Sequence, residues 1–411
     1  MGITLIIILA AFLILFYFFR IGDAFSPWFI TTGIWLVMIL LLNIGETGLY
    51  QLQSRFYICT FLWVPILSAT AILTYYSTPA YREEEKDETH INFAWLNFFF
   101  IISLIFTPIY VFRIIKIVTM FGTEDLLSNL RILADAGQED TIGTLLKYIS
   151  AFNQALFIVC IWFYRQVGKI RMVIITIANL MCAFAIMEKG SLFFLGLIAM
   201  FVLYEKNIIK LRTIALCGIA IIILFYGINI ARATSDQQQN NDSNIFDFIA
   251  MYIMSPPVAF EQVQQKVTEQ FGSRTFAFFY AFLTKLGIAN YTIEPKLQPF
   301  VFVPVSTNVY TVYQPFYQDF GYNGVAFFAS VYGVFAGWVY RKCQQGYSIF
   351  MCLYAYIVEV LVLQFFQENL ILSLSILTQY LFVFILTLQN KFKLIICKRK
   401  AYIKKEEANL R

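Results

Sequence analysis

Apolar stretches of membrane-spanning length recur along the chain between polar breaks, and the rhythm fails for a long interval only over 232–320. A helix that crosses a bilayer needs about 20 mostly apolar residues. Eleven segments fit this pattern: 3–19, 27–43, 56–76, 93–112, 147–164, 171–188, 190–204, 213–231, 321–340, 348–367 and 370–388. Helix is the expected state of each, because lipid offers backbone groups no hydrogen-bond partner. The tightest junction joins 171–188 to 190–204, where Glu188-Lys189-Gly190-Ser191 leaves almost no turn. Met1-Gly2-Ile3-Thr4 carries no basic leader, and no small-residue cleavage site follows the first apolar stretch, so 3–19 is expected to be a retained span. The pattern predicts an all-α polytopic membrane protein with about 11 transmembrane helices and a single integral membrane domain over 1–411.

The interruption at 232–320 is polar and rich in proline and tyrosine. Irregular loops beyond about 15 residues are usually functional or disordered, and this one is too aromatic for disorder. Short helices are expected within it. Asp242-Ser243 suits the cap of a helix reaching about Met254. Ser255-Pro256-Pro257 starts a second, about 257–270, which reads either as an interfacial helix or as an ordinary packing helix. Thr275–Lys285 is very aromatic and is expected to re-enter the bilayer surface. Four prolines between 291 and 315 predict an extended, irregular section. The loop then enters the ninth span through Tyr317-Gln318-Asp319-Phe320-Gly321-Tyr322-Asn323-Gly324.

Composition agrees with the pattern: 60% of residues are hydrophobic and 13% charged, with a mean hydropathy of +0.70. Placing the charges by loop gives sidedness. Lysine and arginine gather in cytoplasmic loops, and one side of the alternation holds 19 of the 30 basic residues, including the tail 389–411. That side is the cytoplasm, so the N-terminus is expected outside and the C-terminus inside. Two large loops, 113–146 and 232–320, then fall on the outer, periplasmic side. The lone histidine, His90, falls in a cytoplasmic acidic stretch, read as a solvated loop. No cysteine lies in an outer loop and no pair has metal-ligand spacing, so neither a disulfide nor a metal site is expected.

Basic residues on the outer face run against the orientation bias. Arg113, Arg131, Arg232 and Arg274 are therefore candidate anion binders, since a guanidinium grips phosphate oxygens in bidentate fashion. The alternative for each is snorkelling or pairing with a nearby acid. Lys189, beside Glu188 at the outer end of a span, is a further candidate.

Three short pieces carry a family resemblance: Asp319-Phe320-Gly321-x-x-Gly324, Tyr252-x-x-Ser255-Pro256-Pro257-x-Ala259-Phe260, and Lys189-Gly190-Ser191. With the topology, they make the chain resemble the Wzy-type O-antigen and capsular oligosaccharide repeat-unit polymerases. The resemblance implies a fold like that of metal-independent, lipid-sugar glycosyltransferases (GT-C-like). It also implies glycosyl transfer on the outer face of the bacterial inner membrane. There a glycan would pass from one undecaprenyl diphosphate to the next lipid-linked repeat unit. An Arg-x10-Gly pattern described in some members is not matched. The implied partners are undecaprenyl-diphosphate-linked oligosaccharides, membrane lipid and a chain-length regulator protein, with no nucleic acid and no cofactor. Such chemistry needs cations on the departing diphosphate and a base for the acceptor hydroxyl. Asp319, Glu261 and Asp247 are the base candidates, with a helix cap as the alternative for Asp319. Tyr313 and Tyr317, with Tyr291 and Tyr310, suit stacking on sugar faces or an interfacial aromatic belt. An O-antigen ligase is the nearest rival, but members of that family resemble one another in a functional histidine of the large outer loop, which this loop lacks. A lipid-linked oligosaccharide flippase or transporter is the rival from another class.

Overall fold

The computed structural model describes residues 1–44, 49–79, 91–121, 130, 146–232, 253–266, 270–295 and 298–388. Asp247, Arg131, His90 with its acidic run, the helix expected over 242–252 and the tail 389–411 lie outside the described residues, as does the side chain of Arg232.

The chain is mostly helical, and each apolar segment contains a helix. In chain order these are α1 (Gly2–Phe18), α2 (Pro27–Ile44), α3 (Ser54–Ser77), α4 (Phe93–Val118), α5 (Ile149–Trp162), α6 (Lys169–Ala185), α7 (Lys189–Glu205) and α8 (Leu211–Arg232). Two short helices follow in the long loop, α9 (Ser255–Phe260) and α10 (Ala277–Lys285). The last three are α11 (Gln314–Gln344), α12 (Ser348–Val362) and α13 (Leu374–Thr387). Among the described residues, α3, α4, α11 and α12 with its 3-10 extension to Phe365 are long and apolar enough to cross a membrane. The multi-pass membrane class read from the sequence stands on these helices.

The boundaries differ from the sequence reading in three places. Helix α4 continues past residue 112 to Val118, so Arg113 is helical rather than the first residue of a loop. Helix α9 stops at Phe260 instead of reaching 270, and all six of its residues are buried. It is a plug in the protein interior, not an interfacial helix. The ninth span begins early: α11 starts at Gln314 and breaks at Gly321, where φ is +63°. The proline-rich section is irregular apart from a two-residue hairpin, β1 (Val301–Phe302) with β2 (Ser306–Thr307).

The chain divides into two compact units. The first comprises 1–79, 242–341 and 357–378, the second 80–241, 342–356 and 379–411. The interior of the first unit centres on Gln364, which is fully buried. Its amide oxygen accepts from the indole N–H of Trp35 at 3.1 Å and of Trp63 at 2.7 Å, and its amide nitrogen donates to Thr31 at 3.0 Å. Close helix approach comes from α11, where a Cβ on Gly337 would lie 2.8 Å from the Cα of Ala71 on α3. Small residues permit such backbone contact where apolar side chains gain nothing by leaving lipid.

The second unit uses amides in the same way. Asn153 on α5 accepts from Ser103 at 2.7 Å and donates to Thr107 at 2.8 Å, both on α4, while Asn179 on α6 donates to the Asn153 carbonyl at 3.0 Å. A further chain runs from the Tyr380 hydroxyl to Gln154 (2.7 Å), from Gln154 to Ser191 (3.2 Å) and from Ser191 to Glu188 (2.6 Å).

Candidate functional site

The end of the long loop is set by aromatic packing. Tyr313 has 0% exposure, stacks on Trp35 at 4.8 Å and donates its hydroxyl to Thr60 at 3.1 Å. Phe316 lies parallel to Trp63 at 5.8 Å. Those two rings fix the first turns of α11, and with them Tyr317, Gln318 and Asp319.

Glycine completes the junction. Gly321 holds a positive φ that L side chains resist, and a Cβ there would meet the Gln265 side chain. A Cβ on Gly324 would run into the backbone carbonyl of Phe316. The Asp-Phe-Gly-x-x-Gly motif thus has a steric reason: one glycine turns the chain and the other lets helix pack on helix.

Two charged groups lie on either side of this junction. In the first, the Glu261 carboxylate accepts the backbone N–H of Phe56 at 2.8 Å and of Gln53 at 3.1 Å, and so caps the start of α3 from a distant part of the chain. This engagement explains why α9 ends where it does. The same Oε1 takes both bonds, while Oε2 is buried without a hydrogen-bond partner in the structure. Burial pushes the Glu261 carboxyl above its ordinary pKa, opposed by the Phe56 N–H, the Arg55 charge and the Gln53 N–H. Arg55 donates one guanidinium nitrogen to the carbonyls of Glu261 (2.7 Å) and Val263, and the guanidinium carbon sits 5.1 Å from the centre of the Tyr317 ring.

In the second group, Arg274 is 3% exposed and donates to the Pro295 carbonyl at 2.8 Å, with Glu294 at 3.8 Å. The side-chain amide of Gln298 also lies against the guanidinium. Asp319 accepts the backbone N–H of Thr275 at 2.7 Å and contributes its charge to the surroundings of Arg274. Lys266 bonds Glu294 at 3.1 Å and donates its backbone N–H to the Gln318 carbonyl at 3.0 Å.

A known protein resembles the chain over part of its length. The chain is 22% identical over 263 residues to an Escherichia coli (strain K12) protein named "Putative O-antigen polymerase". The match covers 62% of this chain and 63% of that protein. No family model matches the chain, and no solved structure does.

Of the residues nominated from sequence, the first unit brings together Glu261, Arg274, Tyr317 and Asp319 around the start of α11. Tyr313 is beneath them in the core, with its ring faces against protein. Tyr310 is also buried and donates its hydroxyl to the Pro299 carbonyl at 3.0 Å, whereas Tyr291 is exposed beside Tyr280. Arg113 and Lys189 belong to the second unit; Arg113 is exposed on α4, and Lys189 is buried at the first position of α7. Asp319 does not cap the ninth span as a helix N-terminus. It sits in the second turn of α11 and ties the Thr275 turn to it.

Arg55 escaped the sequence reading. It lies in the first turn of α3, outside both large loops. The signal was available: the alternation that sets the N-terminus outside also puts Arg55 on the outer side, against the usual bias of arginine.

Proposed function

We propose that the chain polymerises lipid-linked oligosaccharide repeat units by glycosyl transfer, and that the start of α11 with Arg55 and Glu261 is the reacting region. The similarity to the Escherichia coli protein over 263 residues carries the reading. The charged groups supply the chemistry such a transfer needs. The donor is an oligosaccharide on undecaprenyl diphosphate, and the reaction takes place on the outer face of the inner membrane, with the N-terminus outside and the C-terminus in the cytoplasm. The acceptor sugar hydroxyl attacks the anomeric carbon of the donor glycan. The glycosidic bond forms as the bond to the diphosphate oxygen breaks, and the hydroxyl proton passes to a base.

Arg55 faces the departing diphosphate. Two carbonyls and the Tyr317 ring hold its guanidinium in place before substrate arrives, so little reorganisation is needed as negative charge develops. Glu261 is the base, and the raised pKa that burial gives its carboxyl strengthens it for that role. Asp319 and Arg274 hold the loop in position. Tyr317 is buried against Arg55, Phe260 and Tyr322, so it positions Arg55 instead of stacking on sugar.

Deleting the gene leaves surface glycan capped with single repeat units. Loss of all surface glycan, with full-length polymer retained on the lipid carrier, would point instead to ligation.

A further inference from the structure

Helix α10 does not bury a single residue, yet its sequence is Ala277-Phe278-Phe279-Tyr280-Ala281-Phe282-Leu283-Thr284-Lys285. Phe279, Phe282 and Leu286 fall at i, i+3 and i+7, one stripe of a helix. They are 49%, 55% and 57% exposed. The opposite face is tied to the protein: Tyr280 donates its hydroxyl to the Phe271 carbonyl and packs on Tyr291 at 4.7 Å, and Thr284 accepts the Tyr291 N–H at 3.3 Å. The helix is therefore held with its apolar stripe turned outward.

Its end is also built. Gly287 has φ +70°, its N–H bonds the Thr284 carbonyl at 3.1 Å, and the Ile288 N–H bonds the Leu283 carbonyl at 3.1 Å. This is a glycine-terminated Schellman stop. It fixes the length at nine residues, too short to cross a bilayer.

Aromatic contacts anchor the helix to α11. Phe279 packs on Phe276 at 6.3 Å, Phe276 on Phe328 at 6.3 Å, and Phe328 on Phe327 at 5.2 Å. Phe327 heads the exposed row Phe327, Val331, Val334, Trp338 on α11, a helix long and apolar enough to cross a membrane. Exposed apolar area of this extent marks a membrane or partner surface. The stripe is held beside α11, a helix of membrane-crossing length, through the contact of Phe276 with the buried Phe328, and that placement decides for membrane.

We propose that α10 lies in the headgroup region of the bilayer with Phe279, Phe282 and Leu286 inserted, and that Lys285 at its end reaches lipid phosphate. The turn Ser273–Thr275, which Asp319 holds, leads directly into this helix, so the bilayer surface and the start of α11 are mechanically joined. The inference concerns membrane contact and does not depend on the reaction proposed above.

The test places bimane on cysteines introduced by Phe279→Cys, Phe282→Cys and, as an aqueous control, Lys266→Cys in the full chain. The protein is reconstituted in nanodiscs of phosphatidylethanolamine and phosphatidylglycerol, with the parent chain giving the native-cysteine background. Headgroup nitroxide lipid is expected to quench the first two positions several-fold more than the control. Equal quenching at all three overturns the proposal. So does protection of Phe279→Cys from both lipid nitroxide and aqueous iodide, which would show a protein partner there. In the double variant Phe279→Glu/Phe282→Glu, lipid quenching at Leu286→Cys is expected to fall; an unchanged value also overturns it.

Discussion

Arg55 and Glu261 are the residues on which the proposed chemistry turns. Truncating Arg55→Ala removes a preorganised donor and should lower polymerisation on the order of 100-fold. Arg55→Lys should recover only part, because a point charge cannot hold two carbonyls and an aromatic face in one plane. Glycan length profiles at matched membrane expression check both, and wild-type profiles would remove Arg55 from the mechanism. Glu261 has a separable structural role. A carboxyl whose folded pKa is raised contributes stability that is present below the unfolded value and lost as pH rises through the folded one. Glu261→Gln keeps an acceptor for the start of α3 without the charge. Relative to the parent, it should gain stability as pH rises above the ordinary glutamate value of 4.5, measured by thermal unfolding in micelles. A flat difference across that range would contradict the burial argument. If Glu261 is the base, the same variant loses polymerisation while staying folded.

At the scale of elements, α11 depends on glycine at one bend. Gly321→Ala places a side chain at φ +63° and ψ −150°, a region open essentially to glycine, and should cost about 1–3 kcal/mol, a drop in thermal midpoint that a neighbouring surface substitution does not reproduce. The Gln364 amide carries more. Gln364→Leu leaves the indole N–H groups of Trp35 and Trp63 buried without acceptors, at about 1–3 kcal/mol each. Loss of folded protein, or a much lowered midpoint, is the expected result; a midpoint within error of the parent would show that the two indoles find other acceptors. The contrast between α9 and α10 makes a related point. Both were legible as short helices, but α9 is sealed inside the protein and α10 is exposed, and their composition does not separate those fates.

For the whole molecule, sidedness is the property that most organises function. A reporter fused after residue 290 should read outside and one fused after residue 388 inside. The reverse pair would move Arg55, Glu261 and the α11 junction to the cytoplasm and remove them from any lipid-linked donor delivered outside. The fold itself places these groups within one compact unit although they lie more than 200 residues apart, as the Arg55–Glu261 carbonyl bond shows.

The sequence by itself determined the elements and the class. Apolar length is a local property, so the spans were readable as runs of apolar residues and the interruption as their absence, and helix was forced by the absence of partners in lipid. The Asp-Phe-Gly-x-x-Gly entry was readable as a junction for the same local reason, since a positive φ selects glycine. Only the tertiary structure decided how the polar residues are used. Arg55 was marked only by its outer-side placement, and its contacts with the Glu261 and Val263 carbonyls come from 206 and 208 residues away. Arg274 read as an anion binder or as one half of an acid pair, and the structure buries it against Pro295 and Glu294. Tyr313 read as a surface ring, yet it is stacked in the core. A lone charged or aromatic residue takes its role from the groups that fold against it, and those lie far away along the chain.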